Sequence, residues 1–337
     1  MKLRTPIVSV FIPTRNRAHM LWDSIDSVLR QTFEDFELII SDNASADATE
    51  SVVRSFDDSR IRYVRNDHDI GLRENWNRCF ALAKGEYIAA FPDDDVMLPE
   101  NLARKVDVLS SSPGVGLVHS KFDIMDVDGQ ILRRNAHLGP GPDRTTDCLE
   151  SRVEILAAER DGIHTSTVLF KKACYDRLGQ FTSKLNDVFD WEYWMRIAVY
   201  YDVAFLATSL IRWRVHDDQA YLQHFGDDEY LKLREDMKAK RLITRNHLGR
   251  IRGGRRIKKQ IWKNMGRRFE SVADGMQRDG RSKAWVRNLV FGICLEFPEL
   301  LRVDSLWKVL LKSVLGRRSV MALKRLYALV GSESITS

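Results

Sequence analysis

The sequence predicts an α/β fold, a mainly parallel sheet with helices on both faces, followed by a basic, mostly helical C-terminal region. Short apolar runs typical of buried strands occur at 7–12, 36–41, 61–64 and 86–91. Amphipathic segments separate these runs; in the first, apolar residues from Leu21 to Leu29 share one helical face. Strands that alternate with helices form parallel sheets, which bind ligands at the carboxyl ends of their strands.

The charge of the chain is divided unevenly. Residues 1–229 carry 27 Lys and Arg against 38 Asp and Glu, whereas residues 230–337 carry 26 against 9. An acidic domain needs a cation to hold an anionic ligand, and a basic region suits a polyanion or an anionic lipid surface. We therefore expect a domain boundary near residue 225, with one domain over 1–225 and a basic helical region over 226–337.

Length and composition indicate a globular protein. The chain has 337 residues, 44% of them hydrophobic, and no run of about 18 apolar residues that would predict a membrane-spanning helix. The cysteines form no CxxC pair, which argues against a thiolate zinc site or a disulfide scaffold and fits a reducing, cytosolic setting. They are Cys79, Cys148, Cys174 and Cys294.

The pattern after residue 115 is less regular. The Asp128-Gly129 turn lies between two apolar segments and predicts a hairpin. STVLF, VAFLA and IRWRV predict further strands around a helix at about 191–200, and the pattern from about 229 to 331 is helical. Earlier in the chain, Asp47 and Glu50 have the spacing of a capping box ahead of an apolar segment.

Polar residues follow each of the first four predicted strands. Asp and Asn are common turn formers, so each group alone has a structural explanation, but four groups at one sheet edge favour a binding site. The sharpest group is a run of three carboxylates, which repel one another and which a hard divalent cation, Mg²⁺ or Mn²⁺, would compensate. A solvated acidic turn before a helix at Pro99 is the structural alternative. The groups are Pro13-Thr14-Arg15-Asn16, Asp42-Asn43, Asn66-Asp67 and Asp93-Asp94-Asp95.

Six segments occur in an informative order. They are VSVFIPTRNR, SDNASADAT, GLRENWNRCFALAKGEYIAAFPDDDVMLPENL, GQF (179–181), FDWEYWMRIA (189–198) and RWRVH (212–216). In this order they resemble glycosyltransferase family 2, the inverting enzymes of the GT-A fold, of the type that makes bacterial cell-surface polysaccharides. The resemblance covers about residues 5–220. It implies a GT-A catalytic domain over 1–225, a nucleotide diphosphate-sugar donor, and Mn²⁺ or Mg²⁺ held at a DXD-like motif.

The resemblance also implies roles for residues that bind the donor. Asp42 would bond the base of the donor beside backbone contacts from Pro13 and Thr14, and Asp93 would approach the ribose. The remaining donor-binding candidates are Arg15, Asn43, Arg73, Asn75, Asp94 and Asp95.

Metal binding and base catalysis fall to other positions. Asp94 would contact the metal that bridges the diphosphate, and His216 matches a position near the same metal. Asp190 matches the catalytic base of the family, although Phe189 replaces an acidic neighbour common there, and Glu192 remains the alternative. Without the family, an Asp that opens a helix is an ordinary cap. The implied reaction is a single displacement in which Asp190 accepts the proton of the attacking hydroxyl.

Two other classes of protein compete with this interpretation. Nucleotidyl or phosphoryl transferases on a similar sheet also use acidic metal motifs, but the sequence has neither GxxxxGK[ST] nor GxGxxG after the first strand. A non-enzymatic nucleic-acid-binding protein would use the basic tail, which has no zinc-finger, RNP or KH signature.

The basic tail predicts where the protein works. Cations beside Trp, Leu and Phe between Lys232 and Arg325 are typical of an interfacial helix on anionic lipid. A helical bundle packed on the catalytic domain or between subunits of a homo-oligomer is the alternative. We expect a cytoplasmic protein that is peripheral on the inner face of the cell membrane, a glycan or lipid-linked acceptor, and no nucleic-acid partner.

Overall fold

A computed structural model describes residues 5–136, 144–145, 156, 163–219, 226, 228–278, 292–294 and 296–302. The chain divides into two compact units, one formed by residues 1–155 and 161–224 and the other by 156–160 and 225–337. Each unit is described by itself.

The first part of the N-terminal unit is a parallel sheet. Strand β1 pairs in parallel with β2 on one side and with β4 on the other, and β3 pairs in parallel with β2. All four predicted strands are therefore confirmed. The elements are β1 (Val8–Thr14), α1 (Ala18–Leu29), β2 (Phe36–Asp42), α2 (Thr49–Arg54), β3 (Ile61–Arg65), α3 (Leu72–Leu82) and β4 (Tyr87–Ala90).

The sheet continues with strands of both directions. Among the described residues, ten strands form one sheet in the order β3-β2-β1-β4-β9-β6-β10-β5, with β7 on β6 and β8 on β10. Strand β9 is antiparallel to both β4 and β6. The further elements are β5 (Val96–Met97), α4 (Asn101–Ser111), β6 (Val115–Met125), β7 (Ile131–Ala136), β8 (Arg144–Thr145), β9 (Leu169–Lys171), α5 (Lys172–Leu178), α6 (Phe189–Tyr200) and β10 (Asp202–Arg214).

Helices cover both faces of the sheet, and the side chains of β1 therefore point alternately into two cores. Val8, Val10 and Ile12 pack in a cluster with apolar residues of α1 and α4. Phe11 points the other way, where its ring centroid lies 5.5 Å from that of Trp76 and 5.0 Å from that of Phe80, both on α3. A strand buried on both faces is mostly apolar, as β1 is apart from Ser9 and Thr14.

Three local predictions need correction, and one is confirmed. VAFLA and IRWRV belong to one strand, β10, which stays on β6 through register shifts on either side of Ser209. In STVLF, residues 165–167 form a 3-10 turn and the strand begins at Leu169. The capping box does not form, because Asp47 accepts bonds from the N and Oγ1 of Thr49 at 3.0 and 2.5 Å. The β6–β7 hairpin is confirmed.

The C-terminal unit contains α7 (Glu229–Asn246), α8 (Gly254–Arg278) and a 3-10 turn at Pro298–Arg302. Asp228 caps α7 by accepting bonds from the backbone N of Tyr230 and Leu231. The apolar residues on one side of α8 are buried; they are Ile257, Ile261, Met265 and Phe269.

Several sequence predictions for this unit concern segments beyond the described residues. Residues 279–291 and 303–331 lie outside them, so the helical prediction there, the apolar run at 306–311 and the cluster Arg317-Arg318 are not described. No helix in the described ranges is long and apolar enough to cross a membrane. Three of the cysteines, Cys79, Cys174 and Cys294, are free and buried, and Cys148 is not described.

Candidate functional site

The polar ends of the first strands meet at one edge of the sheet. The register places Thr14 of β1 beside Asp42 of β2, and Asp42 beside Arg65 of β3. The backbone continues this alignment, because Asn43 N donates to Thr14 O at 2.9 Å. Pro13, the residue before Thr14, pairs with Ser41 near the end of the same two strands. The structure therefore brings together groups that are up to 51 residues apart in sequence.

Asp42 is completely buried beneath this edge. Its Oδ1 accepts from the backbone N of Ser45 at 2.8 Å. Its Oδ2 accepts from the hydroxyl of Tyr63 at 2.6 Å and from Arg65 Nη1 at 2.8 Å. Burial and the bond to Asp42 raise the pKa of Tyr63 to about 12, so Tyr63 remains a proton donor at neutral pH. Asp42 is thus held rigidly in one orientation.

The asparagines form a buried amide network next to Asp42. Asn43 Oδ1 accepts from Asn66 Nδ2 at 2.9 Å and from the backbone N of Ile70 at 3.0 Å. Asn75 Oδ1 accepts from Asn66 Nδ2 at 3.1 Å, while Asn75 Nδ2 donates to Ser41 O at 2.9 Å. The side chains of Asn43 and Asn75 are therefore buried beneath the sheet edge, which they support, and are not exposed to solvent.

The two arginines proposed for the donor differ in position. Arg15 pairs with Asp69 at 2.9 Å and is half exposed; Asp69 also accepts a bond from Asn43 Nδ2 at 2.5 Å, which ties Arg15 to the amide network. Arg73 bonds to the carboxylate of Glu74 and to Leu185 O at 2.9 Å. The contacts of Arg73 therefore lie outside that network.

Asp93 and Asp94 lie beyond the end of β4. Burial and the neighbouring charge of Asp94 raise the pKa of Asp93 to about 7, and the side chains of Thr14 and Arg17 partly oppose this rise. Asp94 Oδ2 lies 3.1 Å from His216 Nε2. Arg17 Nη1 is 3.8 Å from the same oxygen and 3.3 Å from His216 Nε2. The sequence predicted that Asp94 and His216 lie close together, and they do in the structure. The sequence did not predict that Arg17 lies beside them.

The pair formed by Asp94 and His216 fits a hard divalent cation. Its two donor atoms, 3.1 Å apart, suit neighbouring ligands of one octahedral ion with bonds of about 2.1 Å. The described residues contain no group of three or more His, Cys, Asp or Glu side chains arranged to hold a metal. Magnesium and manganese sites with few protein ligands take their other ligands from substrate phosphates and water. Asp94 and His216 would be enough protein ligands for a site of that kind.

Asp95 turns inward and is buried. Its Oδ1 accepts from the backbone N of Arg214 at 2.9 Å, its Oδ2 accepts from the hydroxyl of Ser166, and its carbonyl oxygen accepts from the hydroxyl of Ser24 at 2.7 Å. Burial and the nearby Asp94 raise the pKa of Asp95 well above its ordinary value. These contacts give Asp95 a structural position in the loop.

Asp190 occupies the first turn of α6. Its Oδ2 accepts from the hydroxyl of Thr165 at 2.5 Å, and its Oδ1 accepts from the backbone N of Trp191 at 2.7 Å. Thr165 adjoins Ser166 in the 3-10 turn. One short turn therefore contacts both Asp95 of the acidic motif and Asp190.

Glu192 is used differently. It is buried, and both its oxygens accept from Arg196, at 3.2 and 2.6 Å. Arg196 in turn bonds to the carbonyl oxygens of Leu178 and Gln180. Trp191 and Trp194 on the same helix are also buried, so neither offers the exposed ring that a sugar-stacking surface needs.

The sequence carried only a weak signal for four of these residues. Arg17 and Arg214 stand in the quoted segments VSVFIPTRNR and RWRVH, but arginine is common beside strand ends. Thr165 and Ser166 lie just ahead of or within a predicted strand, where hydroxyls are unremarkable. Their roles depend on contacts across 25 and 71 residues, which periodicity cannot reveal.

A mainly parallel sheet with an acidic cluster after its fourth strand defines the GT-A class of α/β proteins. Residues 9–174 match the family model described as Glycosyl transferase family 2, so this part of the chain is a domain of that family. An uncharacterized glycosyltransferase of Rickettsia felis is 27% identical over 222 residues, which are 65% of this chain and 36% of the relative. An Escherichia coli relative, UDP-Glc:alpha-D-GlcNAc-diphosphoundecaprenol beta-1,3-glucosyltransferase WfgD, is 29% identical over 36% of this chain and 47% of its own length. The chain thus spans less than half of either relative.

Solved structures agree with the fold. TarS residues 1–349 of S. aureus, in complex with UDP, superimposes with a TM-score of 0.63 at 18% identity, covering 89% of this chain and 82% of TarS. The mannosyltransferase PcManGT of Pyrobaculum calidifontis, in complex with GDP-Man and Mn²⁺, gives 0.57 at 17% identity, covering 92% and 87%. At these identities the similarity establishes the GT-A fold.

Proposed function

We propose that the chain transfers a sugar, with inversion, from a nucleotide diphosphate-sugar to a hydroxyl of a glycan or lipid-linked saccharide in polysaccharide biosynthesis. One observation carries the proposal. Neighbouring hydroxyls of a single turn, on Thr165 and Ser166, bond to Asp190 and to Asp95 of the acidic motif. A carboxylate suited to deprotonating an acceptor thus belongs to the same site as the motif suited to holding a donor.

The donor would lie along the edge formed by the first four strands. In this proposal the base lies over Asp42, which is buried with both oxygens bonded and holds Tyr63 and Arg65 in place. The backbone of Pro13 and Thr14 lies beside the base, and Asp93 lies at the ribose. Arg15, Asn43 and Asn75 support that pocket, and Arg73 supports it indirectly through the loop at Leu185. The complexes of TarS with UDP and of PcManGT with GDP-Man favour a nucleoside diphosphate as the leaving group.

A divalent metal, Mn²⁺ or Mg²⁺, would be held by Asp94 and His216. When bound, it offsets the charge that develops on the leaving diphosphate. The Mn²⁺ in the PcManGT complex supports this class of cofactor. Arg17, within 4 Å of Asp94, is a second cation on the same side and would stabilise the same developing charge.

The chemistry that the chain supplies is proton acceptance by Asp190. As the acceptor oxygen forms its bond to C1 of the donor sugar, the bond from C1 to the diphosphate oxygen breaks and its electron pair leaves with the nucleoside diphosphate. The hydroxyl proton passes to Asp190, which is regenerated by release to solvent. We favour Asp190 over Glu192 because Asp190 is partly exposed, whereas Glu192 is buried with both oxygens bonded to the Arg196 cation.

Turnover of nucleotide sugars by matched variants tests the proposal. Asp190→Asn should lower kcat by about 10²–10⁴ while leaving the donor KM within about twofold, because only the proton transfer is removed. Glu192→Gln is the matched control. It should lower the melting temperature, but it should lower kcat far less than Asp190→Asn does. The assay follows free nucleoside diphosphate and glycosylated product.

Three results would contradict the assignment. A fully active Asp190→Asn together with an inactive Glu192→Gln would move the base to Glu192. Release of pyrophosphate, or transfer of a phosphoryl group without glycosylation, would indicate a nucleotidyl or phosphoryl transferase. Absence of turnover together with tight, salt-dependent nucleic-acid binding would favour a binding protein.

We further propose that residues 226–337 bring the catalytic domain, 1–225, to the inner face of the cell membrane, where a lipid-linked acceptor would be found. The relative whose name contains a diphosphoundecaprenol acceptor supports this class of acceptor. The apolar side of α8 is buried, so α8 would bind anionic lipid by charge rather than by inserting an apolar face. Self-association of the same region is the competing role.

A further inference from the structure

The hydroxyl of Thr165 has two partners with fixed roles. Trp194 Nε1 lies 3.1 Å from Thr165 Oγ1, and an indole N–H can only donate a hydrogen bond. Thr165 Oγ1 must therefore accept that bond. Its single proton is then directed to Asp190 Oδ2, 2.5 Å away. Trp194 is completely buried, so the indole that sets this direction cannot rotate freely.

The turn that carries Thr165 is itself fixed at several points. Ser166 and Thr167 are buried, and the hydroxyl of Thr167 closes the turn by donating to His164 O at 2.6 Å. The ring of His164 packs against those of Phe122 and Trp213, with centroids 4.7 and 5.0 Å apart. Thr165 is therefore presented to Asp190 from a rigid support.

We propose that Thr165 is a positioning residue, oriented by Trp194, which holds the carboxylate of Asp190 as the proton acceptor for the attacking hydroxyl. The proposal rests on the proposed function, because it needs Asp190 to be the base. The donated hydrogen bond fixes Oδ2 of Asp190, so that the carboxylate keeps one orientation. The geometry resembles that of other base–orienter pairs, in which a third group holds the base.

The same turn also connects the two sides of the reaction. Ser166 donates to Asp95, the residue after Asp94, while Thr165 donates to Asp190. The separation between the metal motif and the base is thus set by two consecutive residues. A shift of about 1 Å between reacting groups is enough to cost a large factor in rate.

The test combines variants of Thr165 with Asp190→Asn. Thr165→Val removes the hydroxyl at nearly constant volume and should lower kcat about 10- to 100-fold, with donor KM and the Kd for nucleoside diphosphate within about twofold. Thr165→Ser keeps the donor and should recover kcat to within about threefold of the wild type. Thr32→Val, which removes an exposed hydroxyl that bonds to Pro99 O at 3.1 Å, is the matched control and should leave kcat unchanged.

A double-mutant cycle separates positioning from a purely structural role. In the Asp190→Asn background, Thr165→Val should cause no further loss of kcat, because both changes act through one carboxylate. Multiplying losses, or failure of Thr165→Ser to recover kcat, would overturn the proposal. If Asp190→Asn is inactive but Thr165→Val is fully active, the positioning role fails while the proposed function stands. If Asp190→Asn keeps full activity, the base assignment fails first.

Discussion

Arg214 shows how single side chains fix the acidic motif. It is only 3% exposed, and it makes four bonds to three separate parts of the N-terminal unit. Its backbone N donates to Asp95 Oδ1, its Nε to Asp94 O at 2.9 Å, its Nη1 to Val127 O at 2.6 Å, and its Nη2 to Asp23 Oδ2 at 2.7 Å. The loop is therefore preformed, and the side chain of Asp94 is left to face His216 and Arg17.

That arrangement leads to a prediction about phosphate recognition at the residue scale. Asp94→Asn should weaken binding of nucleoside diphosphate in the presence of Mn²⁺ by at least about tenfold, but leave binding of the free nucleoside unchanged, because only the diphosphate needs a cation beside it. Isothermal titration calorimetry of both ligands, with and without EDTA, measures this. Asp107→Asn, on the exposed side of α4, is the control. Equal losses for nucleoside and diphosphate would mean that Asp94 acts on the fold instead.

At the scale of elements, regular patterns were predictable and interruptions were not. The four early strands followed from apolar runs, and the pattern is clearest in β1, β2 and β4, which are buried on both faces. The polar residues Thr208 and Ser209 interrupt the apolar pattern of β10, and for this reason the sequence predicted two strands. The long partner strand β6 keeps β10 paired through shifts of register instead, an effect of tertiary structure that local sequence does not contain.

The candidate site divides in the same way. Asp94, His216 and Asp190 could be placed by resemblance, since the chain keeps their motifs in order. The residues that orient them, Thr165 and Arg214, could not, because an orienting side chain has no motif of its own and is defined by its contacts across the fold.

Helix α4 contains another feature that its pattern hides. Lys105 is completely buried, and within the described residues its Nζ has no hydrogen-bond partner. Burial lowers the pKa of Lys105 well below its ordinary value of 10.5. The amine is therefore a cost to the folded state, because an unfolded chain would hold it charged and hydrated.

Lys105→Met should raise the melting temperature, since it keeps an unbranched apolar side chain and removes the desolvated amine. Below pH 10.5 the unfolded state binds the proton that the folded state releases, so wild-type stability rises with pH by up to about 1.4 kcal/mol per unit. The advantage of Lys105→Met should therefore shrink as the pH rises from 7 to 9. Thermal melts at several pH values measure it. Lys84→Met, at an exposed position, should show no such trend; an equal or destabilised Lys105→Met at pH 7 would refute the interpretation.

On the scale of the whole molecule, the most distinctive property is the separation of charge between the two parts of the chain. Helix α8 carries much of the basic share. Its exposed cations are Arg255, Arg256, Lys258, Lys259, Lys263 and Arg267, and residues 254–269 contain no Asp or Glu. Four of them, spaced four residues apart, follow one side of the helix. Such a row is long enough to meet several anionic headgroups at once.

We predict that this row binds anionic membranes. At about 1 kcal/mol per basic residue near the surface, four engaged cations give measurable binding that weakens with salt. Co-sedimentation of the full chain with vesicles, zwitterionic or containing anionic lipid, measures this binding at low and high salt.

Lys259→Glu/Lys263→Glu should weaken binding to the anionic vesicles by at least about tenfold. Arg30→Glu/Arg54→Glu changes the net charge equally at exposed sites, just after α1 and at the end of α2, and should have a much smaller effect. If both pairs weaken binding equally, only net charge matters and α8 is not the contact. If the chain does not bind vesicles but binds nucleic acid through Lys259 and Lys263, the partner is a polynucleotide, and the membrane role is refuted.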